Sequence, residues 1–273
     1  MFKLKLPPFE NVVASQTAVL PRMHRGNMYA GIGLVLGGGN TQANMSAIRL
    51  LVNGKIAWNI SGAHLDTINN YDRLKDTATY LTMWFADPTL QNPVESQLGA
   101  LDTSRGVEEL GMEVDLGAGV APTLSAFYWA LPPSPKGDRF AGVFKSILRT
   151  VQAPAAAVSQ SSLPVPLGSK AGGFLRRNHL FHANITRFSV KRDGVNLLDD
   201  QLIADINYAN EARWRTAQAG HIAFDPLSQQ ASEDMVPTLR SDGSPAVIEH
   251  LITTSAADTI TVYTELLASL DRI

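Results

Sequence analysis

The chain has 273 residues, 23 Lys and Arg against 25 Asp and Glu, and no cysteine. That length suffices for one large domain or two of roughly 130 residues, each able to bury a core. The near-neutral charge argues against general nucleic-acid binding, and the missing thiols exclude disulfides, thiolate metal sites and a cysteine nucleophile. Charged residues are 18% of the chain, below the roughly 25% usual in soluble domains, which suits a surface that meets other subunits.

In chain order, Met1-Phe-Lys-Leu-Lys-Leu-Pro-Pro8 alternates Lys with apolar residues and lacks the long apolar core of a signal peptide. No later apolar run approaches the length that spans a bilayer. Strands are expected at Met28–Leu36, ending in the glycine turn 37–39, and at Ala47–Val52 and Lys55–Ile60. The last two flank Asn53-Gly54, a pair suited to a type I′ hairpin turn. Ser61 to Leu74 has helical spacing, with Ser61 as its cap. Further strands are expected at 79–86, 109–116, 124–131, 140–151, 173–182, 184–192, 220–224 and 259–267. A second helix is expected over Asp199–Trp214, with Asp199 and Asp200 near its N-terminus, and a third over Pro245–Ile252. Gln152–Ser162 reads as an exposed loop. Many short strands with few helices predict an all-β class.

The halves repeat. Leu20-Pro21, a strand, Asn53-Gly54 and a helix with Leu65-x-x-Ile68-Asn69 are answered by Leu163-Pro164, a strand, Asp193-Gly194 and Ile203-x-x-Ile206-Asn207. The Pro-to-Gly intervals are 33 and 30 residues, and the Gly-to-Asn intervals 15 and 13. With three prolines in 132–135 breaking any strand, the division falls at 1–136 and 137–273, two tandem eight-stranded sandwiches, each with a short inserted helix.

Motifs for chemistry are weak. The glycines at 31, 33 and 37–39 lack the order and the following helix of a phosphate loop. His179-x-x-His182 falls on a strand, where positions three apart face opposite ways, so one histidine is expected inside and one in solvent. His64 and His250 are expected to flank the core. No catalytic triad, zinc or EF-hand spacing appears, nor the paired His-x-His sets of a bicupin enzyme, so no catalytic or cofactor residue is assigned. The carboxylate pairs Glu108-Glu109, Asp199-Asp200 and Glu233-Asp234 offer oxygens for calcium shared between subunits, or simply helix and surface roles. Arg176-Arg177 and Arg213/Arg215 are expected to make inter-subunit salt links or solvated faces. A carbohydrate-binding or spike-like sandwich would need a cleft lined by exposed Trp or Tyr. Trp58, Trp84, Trp129 and Trp214 lie mostly in apolar-patterned segments, which argues for packing instead.

The residues Leu20-Pro21, Tyr29-x-x-Ile32, Ile48-Arg-Leu-x-Val-Asn-Gly-Lys55, the helix with Leu65 and Asn69, Met112-Glu-Val-Asp-Leu116 and Pro122-Thr-Leu-Ser-Ala126 resemble a known family. So do Phe181–Asp193, Leu197–Asn210 and Thr259–Glu265. They are similar to the major capsid proteins of tailless icosahedral phages with an internal membrane, of the corticovirus (PM2-like) type. The resemblance implies a double jelly roll, a pseudo-hexagonal homotrimer and a place in the virion shell, after assembly in the host cytoplasm. It also implies contacts with penton and minor capsid proteins and with the inner lipid membrane, which Lys3 and Lys5 could reach. It implies no catalysis and no sequence-specific nucleic-acid contact.

Overall fold

The computed structural model describes residues 2–74, 76–88, 95–118, 121–132, 142–153, 157–229 and 234–272. In the first half run β1 (Phe2–Lys5), β2 (Thr17–Leu20), β3 (Met28–Gly37), β4 (Met45–Val52) and β5 (Lys55–Ile60). Helix α1 (Gly62–Tyr71) follows, then β6 (Tyr80–Trp84), β7 (Leu101–Asp102), β8 (Leu110–Leu116) and β9 (Thr123–Leu131). The second half repeats the series: β10 (Val143–Gln152), β11 (Val158–Pro164), β12 (Phe174–Phe181), β13 (Ile185–Arg192) and β14 (Val195–Leu202). Helix α2 (Ile203–Glu211), β15 (His221–Phe224), β16 (Val236–Pro237), β17 (Ile248–Thr254) and β18 (Ile260–Ser269) complete it.

Each half folds into two facing antiparallel sheets. The orders are β1-β9-β3-β6 and β2-β8-β4-β5 in the first half, and β10-β18-β12-β15 and β11-β17-β13-β14 in the second. Adding nine to each strand of the first half gives the order in the second. Each half is thus an eight-stranded jelly roll. Beyond the eight, a two-residue strand (β7 or β16) pairs with the start of β3 or β12. The sequence expectation of two like sandwiches, each with an inserted helix, holds.

Alternation builds these sheets. In β8, Leu110, Met112, Val114 and Leu116 are buried, while Glu113 and Asp115 turn outward to meet Arg49 of β4. A period of two with one apolar face is what a sheet over a core selects. At the hairpins, Asn53-Gly54 has φ of 51° and 74°, and Asp193-Gly194 has 51° and 80°. Both pairs make the left-handed turn that matches strand twist.

Several expectations shift. Pro245–Ile252 is not helical: Ile248, His250, Ile252 and Thr254 alternate inward along β17, and the polar His250 had hidden that period. Asp199 and Asp200 lie within strand β14 rather than opening a helix. Asp200 Oδ2 accepts from Arg187 Nε at 2.9 Å across the β13–β14 pair, and its N–H donates to Ser189 Oγ. The helix therefore begins later, at Ile203, with Asp205 in its first turn. The expected loop 152–162 includes most of β11, which pairs with β17. The division at 136/137 lies outside the described residues.

Helix α1 begins as expected, with Ser61 Oγ accepting from the N–H of His64 at 3.2 Å. The counterpart of Asn69 in α2 is not the expected Asn207. Asn69 Nδ2 donates to the carbonyl of Thr82 on β6 (2.7 Å), and Asn210, not Asn207, donates to Ala223 on the equivalent β15 (3.3 Å). Both asparagines also accept at their carbonyls from an N–H five residues on, Leu74 and Arg215. Arg73 and Trp214 take positive φ at the same point of each closing turn.

Candidate functional site

The first half lays α1 and β5 against the outer face of the β10-β18-β12-β15 sheet. Trp58 Nε1 on β5 donates to the carbonyl of Lys145 on β10 at 2.6 Å. His64 stacks on Phe181 with ring centroids 3.8 Å apart and shares a hydrogen bond with Tyr263 Oη at 2.9 Å. Tyr71 packs edge-on against His179 and His221, and its hydroxyl donates to Asp225. Phe144, Ile147, Phe181 and Tyr263 of the second half join the apolar core of the first. Gly99 has φ of +92°, and a β-carbon there would lie 2.9 Å from the Phe85 carbonyl oxygen and 3.1 Å from Lys145 Cβ. Only glycine fits that close approach.

The centre of this seam is ionic. Arg177 donates from Nε to Asp225 (2.9 Å), from Nη1 to Asp72 (3.0 Å) and from Nη2 to Asp87 (3.1 Å). Arg215 meets Asp225 at 2.8 Å and Asp72 at 3.2 Å. Arg176 pairs with Asp87 and approaches Glu265 at 3.6 Å, and Lys145 reaches Glu265 at 3.4 Å. Four cations face four carboxylates, all buried. Asp72 and Asp87 come from the first half and the rest from the second, so the network fastens one half to the other.

Burial works against every charge here, and the partners decide the balance. Burial favours neutral Glu265, but Lys145 and Arg176 hold its carboxyl well below the usual range. Burial likewise opposes the Arg177 charge, and Asp225 and Asp72 overcome it, raising its pKa. Arg176 is less fully compensated, and burial pulls it down to about 10. Such a network adds little net stability over apolar packing, but removing one member strands its partners without water. Its effect is to define one relative orientation.

The arginines expected at inter-subunit links thus lie elsewhere: Arg176, Arg177 and Arg215 are buried inside one chain, while Arg213 is exposed. Three of the four belong to a seam that sequence spacing could not reveal. The missed carboxylates, Asp72, Asp87, Asp225 and Glu265, come from distant segments. A usable signal was Arg176-Arg177 inside a strand flanked by Phe174-Leu175 and Leu180-Phe181.

His179 is fully buried and shares a hydrogen bond with His221 at 3.1 Å. His182 is half-buried just past β12, where its Nδ1 accepts from the N–H of Ile185. His250 is buried in the second core against Phe188. Glu108 and Glu109 give their N–H groups to Asn53 Oδ1. Asp234 is exposed and Glu233 lies outside the described residues. Among the described residues no three His, Asp or Glu come together to hold a metal. The glycine turn abuts Ala121, where a β-carbon on Gly38 would lie 2.0 Å from its carbonyl oxygen. Trp58 is buried and Trp84 stacks on Trp129, in line with the packing expected of most of them, but Trp214 is 69% exposed.

The N-terminal residues are docked. β1 pairs with β9, and Lys3 Nζ sits 3.8 Å from the Phe127 ring centroid, with Tyr80 and Trp129 within 6 Å. An ammonium over aromatic faces is a cation–π contact. Lys5 is exposed on the same strand.

Sequence models of the N-terminal and C-terminal domains of viral coat protein P2 match residues 3–130 and 146–270. The chain belongs to the viral coat protein P2 family. This coat protein is structural, not an enzyme, and its place is the virion capsid. It superposes on the crystal structure of the major capsid protein P2 from bacteriophage PM2 with a TM-score of 0.85 at 17% identity, covering 99% of this chain and 98% of that one. A chain in the atomic structure of Sulfolobus turreted icosahedral virus gives 0.70 at 9% identity, with 97% and 90% covered. One from the PBCV-1 virus capsid gives 0.60 at 11%, with 98% and 94% covered. At such identities these likenesses establish the shared double jelly roll. A search of curated protein sequences found no significant match to this coat protein.

Proposed function

We propose that this coat protein is a major capsid subunit, three copies of which form a pseudo-hexagonal trimer. The trimers tile an icosahedral shell over an internal membrane, with penton and minor capsid proteins as its other partners. One observation carries this reading: two jelly rolls of identical strand order are fixed side by side by a buried seam. Three such chains present six similar corners, so a threefold molecule fills a sixfold position. The internal membrane rests on the family resemblance. Lys3 does not support it, since its ammonium is already held over Phe127.

Native mass spectrometry of the purified protein tests the trimer: the reading expects three times the 29.5 kDa chain mass. A stable monomer at micromolar concentration would refute it. Lipid extracted from purified particles tests the vesicle. Calcium shared between subunits is tested by EDTA, which would lower the melting temperature of the assembled particle.

A further inference from the structure

Each chain carries the parts of its internal seam twice, and uses one set. Inside the chain, α1 and β5 cover the β10-β18-β12-β15 sheet. The identical strand order supplies a second covering unit, α2 with β14, and a second receiving face, the outer side of β1-β9-β3-β6. We propose that α2 and β14 of one copy cover that face of the next copy, with Asp205 meeting Lys3, so that the seam within a chain is repeated between chains. This rests on the trimer reading above and adds the surface that makes it.

The exposure pattern fits a covering unit without its sheet. Ala57 on β5 is fully buried, yet Leu197, which takes its place three residues past the hairpin glycine on β14, is 42% exposed. Tyr208 on α2 is 76% exposed and Trp214 just beyond it 69%. The receiving face is equally unusual. Gly31 and Gly33 of β3 leave room for Trp84 and Phe127, since a β-carbon on Gly33 would fall 2.2 Å from the Phe127 ring. The result is an aromatic floor of Phe127, Trp129 and Trp84, rimmed by exposed Tyr80, Lys3 and Lys5.

Register fixes which residues meet. The β3–β9 pair has a bulge between Tyr29 and Gly31, and the β12–β18 pair has one between Leu175 and Arg177. After the bulges, Gly31 lies opposite Trp129 as Arg177 lies opposite Glu265, and Gly33 opposite Phe127 as His179 opposite Tyr263. Phe127 therefore stands where Tyr263 stands. Setting Asn210 on Asn69 puts Asp205 where His64 stands. His64 binds Tyr263 inside the chain, so Asp205 faces Phe127 of the next copy, above which Lys3 sits. The charges agree: the covering unit exposes Asp199, Asp205 and Glu211, and the receiving strand Lys3 and Lys5. A head-to-tail contact of this kind closes into a ring when each step turns by an equal share of the circle.

The absence of native cysteine makes the test clean. The full-length Lys3→Cys/Asp205→Cys variant, oxidised in solution, is expected to give inter-chain disulfides that run as covalent dimer and trimer on a non-reducing gel. Asp205→Lys and Lys3→Asp should each shift the protein from trimer to monomer in native mass spectrometry, and the two together should restore the trimer. Melting curves confirm that each variant is folded. A wild-type trimer whose Asp205→Lys variant stays trimeric, with no disulfide in the cysteine pair, overturns this surface and leaves the trimer standing. A monomeric wild type overturns both.

Discussion

Asn53 and Asp193 hold the same position in the two halves. Each has φ of 51°, each precedes a glycine of positive φ, and each accepts the N–H just before a following strand. Asn53 Oδ1 takes Glu109 at 3.1 Å before β8, and Asp193 Oδ1 takes Val247 at 2.9 Å before β17. The turn residue thus ties its hairpin to the neighbouring strand as well as closing it. Alanine keeps neither the side-chain acceptor nor an easy left-handed φ. Asn53→Ala should cost about 1–2 kcal/mol in urea unfolding, and Asp193→Ala should lower the unfolding midpoint as well. An unchanged midpoint would deny the tie.

Arg177 is the hub of the seam, touching Asp72, Asp87 and Asp225. Arg177→Met fills similar space and leaves those carboxylates short of a counter-charge. The expected loss is about 3–5 kcal/mol, the usual cost of breaking a buried pair. It should come with faster proteolysis, because the orientation of the halves is what the network defines.

Acid should weaken the fold. Burial pushes His250 down to about 4, and burial together with His179 holds His221 well below its ordinary value. Unfolded histidine titrates near 6.5, so below that pH the unfolded chain binds protons that the folded one refuses, and stability falls. For His250 the loss between about pH 6.5 and 4 is on the order of 3 kcal/mol. Asp76, raised to about 6 by burial, works the other way and offsets part of this. His250→Leu removes a buried Nε2 that has no hydrogen-bond partner among the described residues. Its stability should decline less steeply from pH 7 to 4.5, by up to one proton, in denaturation curves across that range.

Gly99→Ala tests the close approach of the halves. The added methyl would meet Phe85, Lys145 and Leu267 at a backbone angle that alanine disfavours. A loss of about 2 kcal/mol or more is expected from strain and crowding together. A neutral result in thermal unfolding would mean that the halves can move apart there without cost.

What sequence could supply was periodicity and punctuation. The alternation of β8, the Asn53-Gly54 and Asp193-Gly194 turns and the Ser61 cap are local features, and they located most strands, α1 and the repeat. Elements whose signal is weak or mixed escaped. β1 and β2 are four residues each, β11 hides in an alanine- and serine-rich stretch, and β17 carries histidine at a core position. The repeat itself was set three residues off at α2, because Asn207 mimics the spacing of Asn69 while Asn210 makes its contact. The seam was invisible for a different reason. Arg177 and its three carboxylates are 48 to 105 residues apart, and only the packing of the halves brings them together.

In the proposed trimer, two like jelly rolls locked edge to face in each chain let three chains make a six-cornered unit. Electron microscopy of the purified protein viewed along its symmetry axis tests this most directly. The expected result is hexagonal outlines in which alternate corners differ, as two kinds of jelly roll demand. Single two-lobed particles, or rings whose symmetry is not threefold, would contradict it.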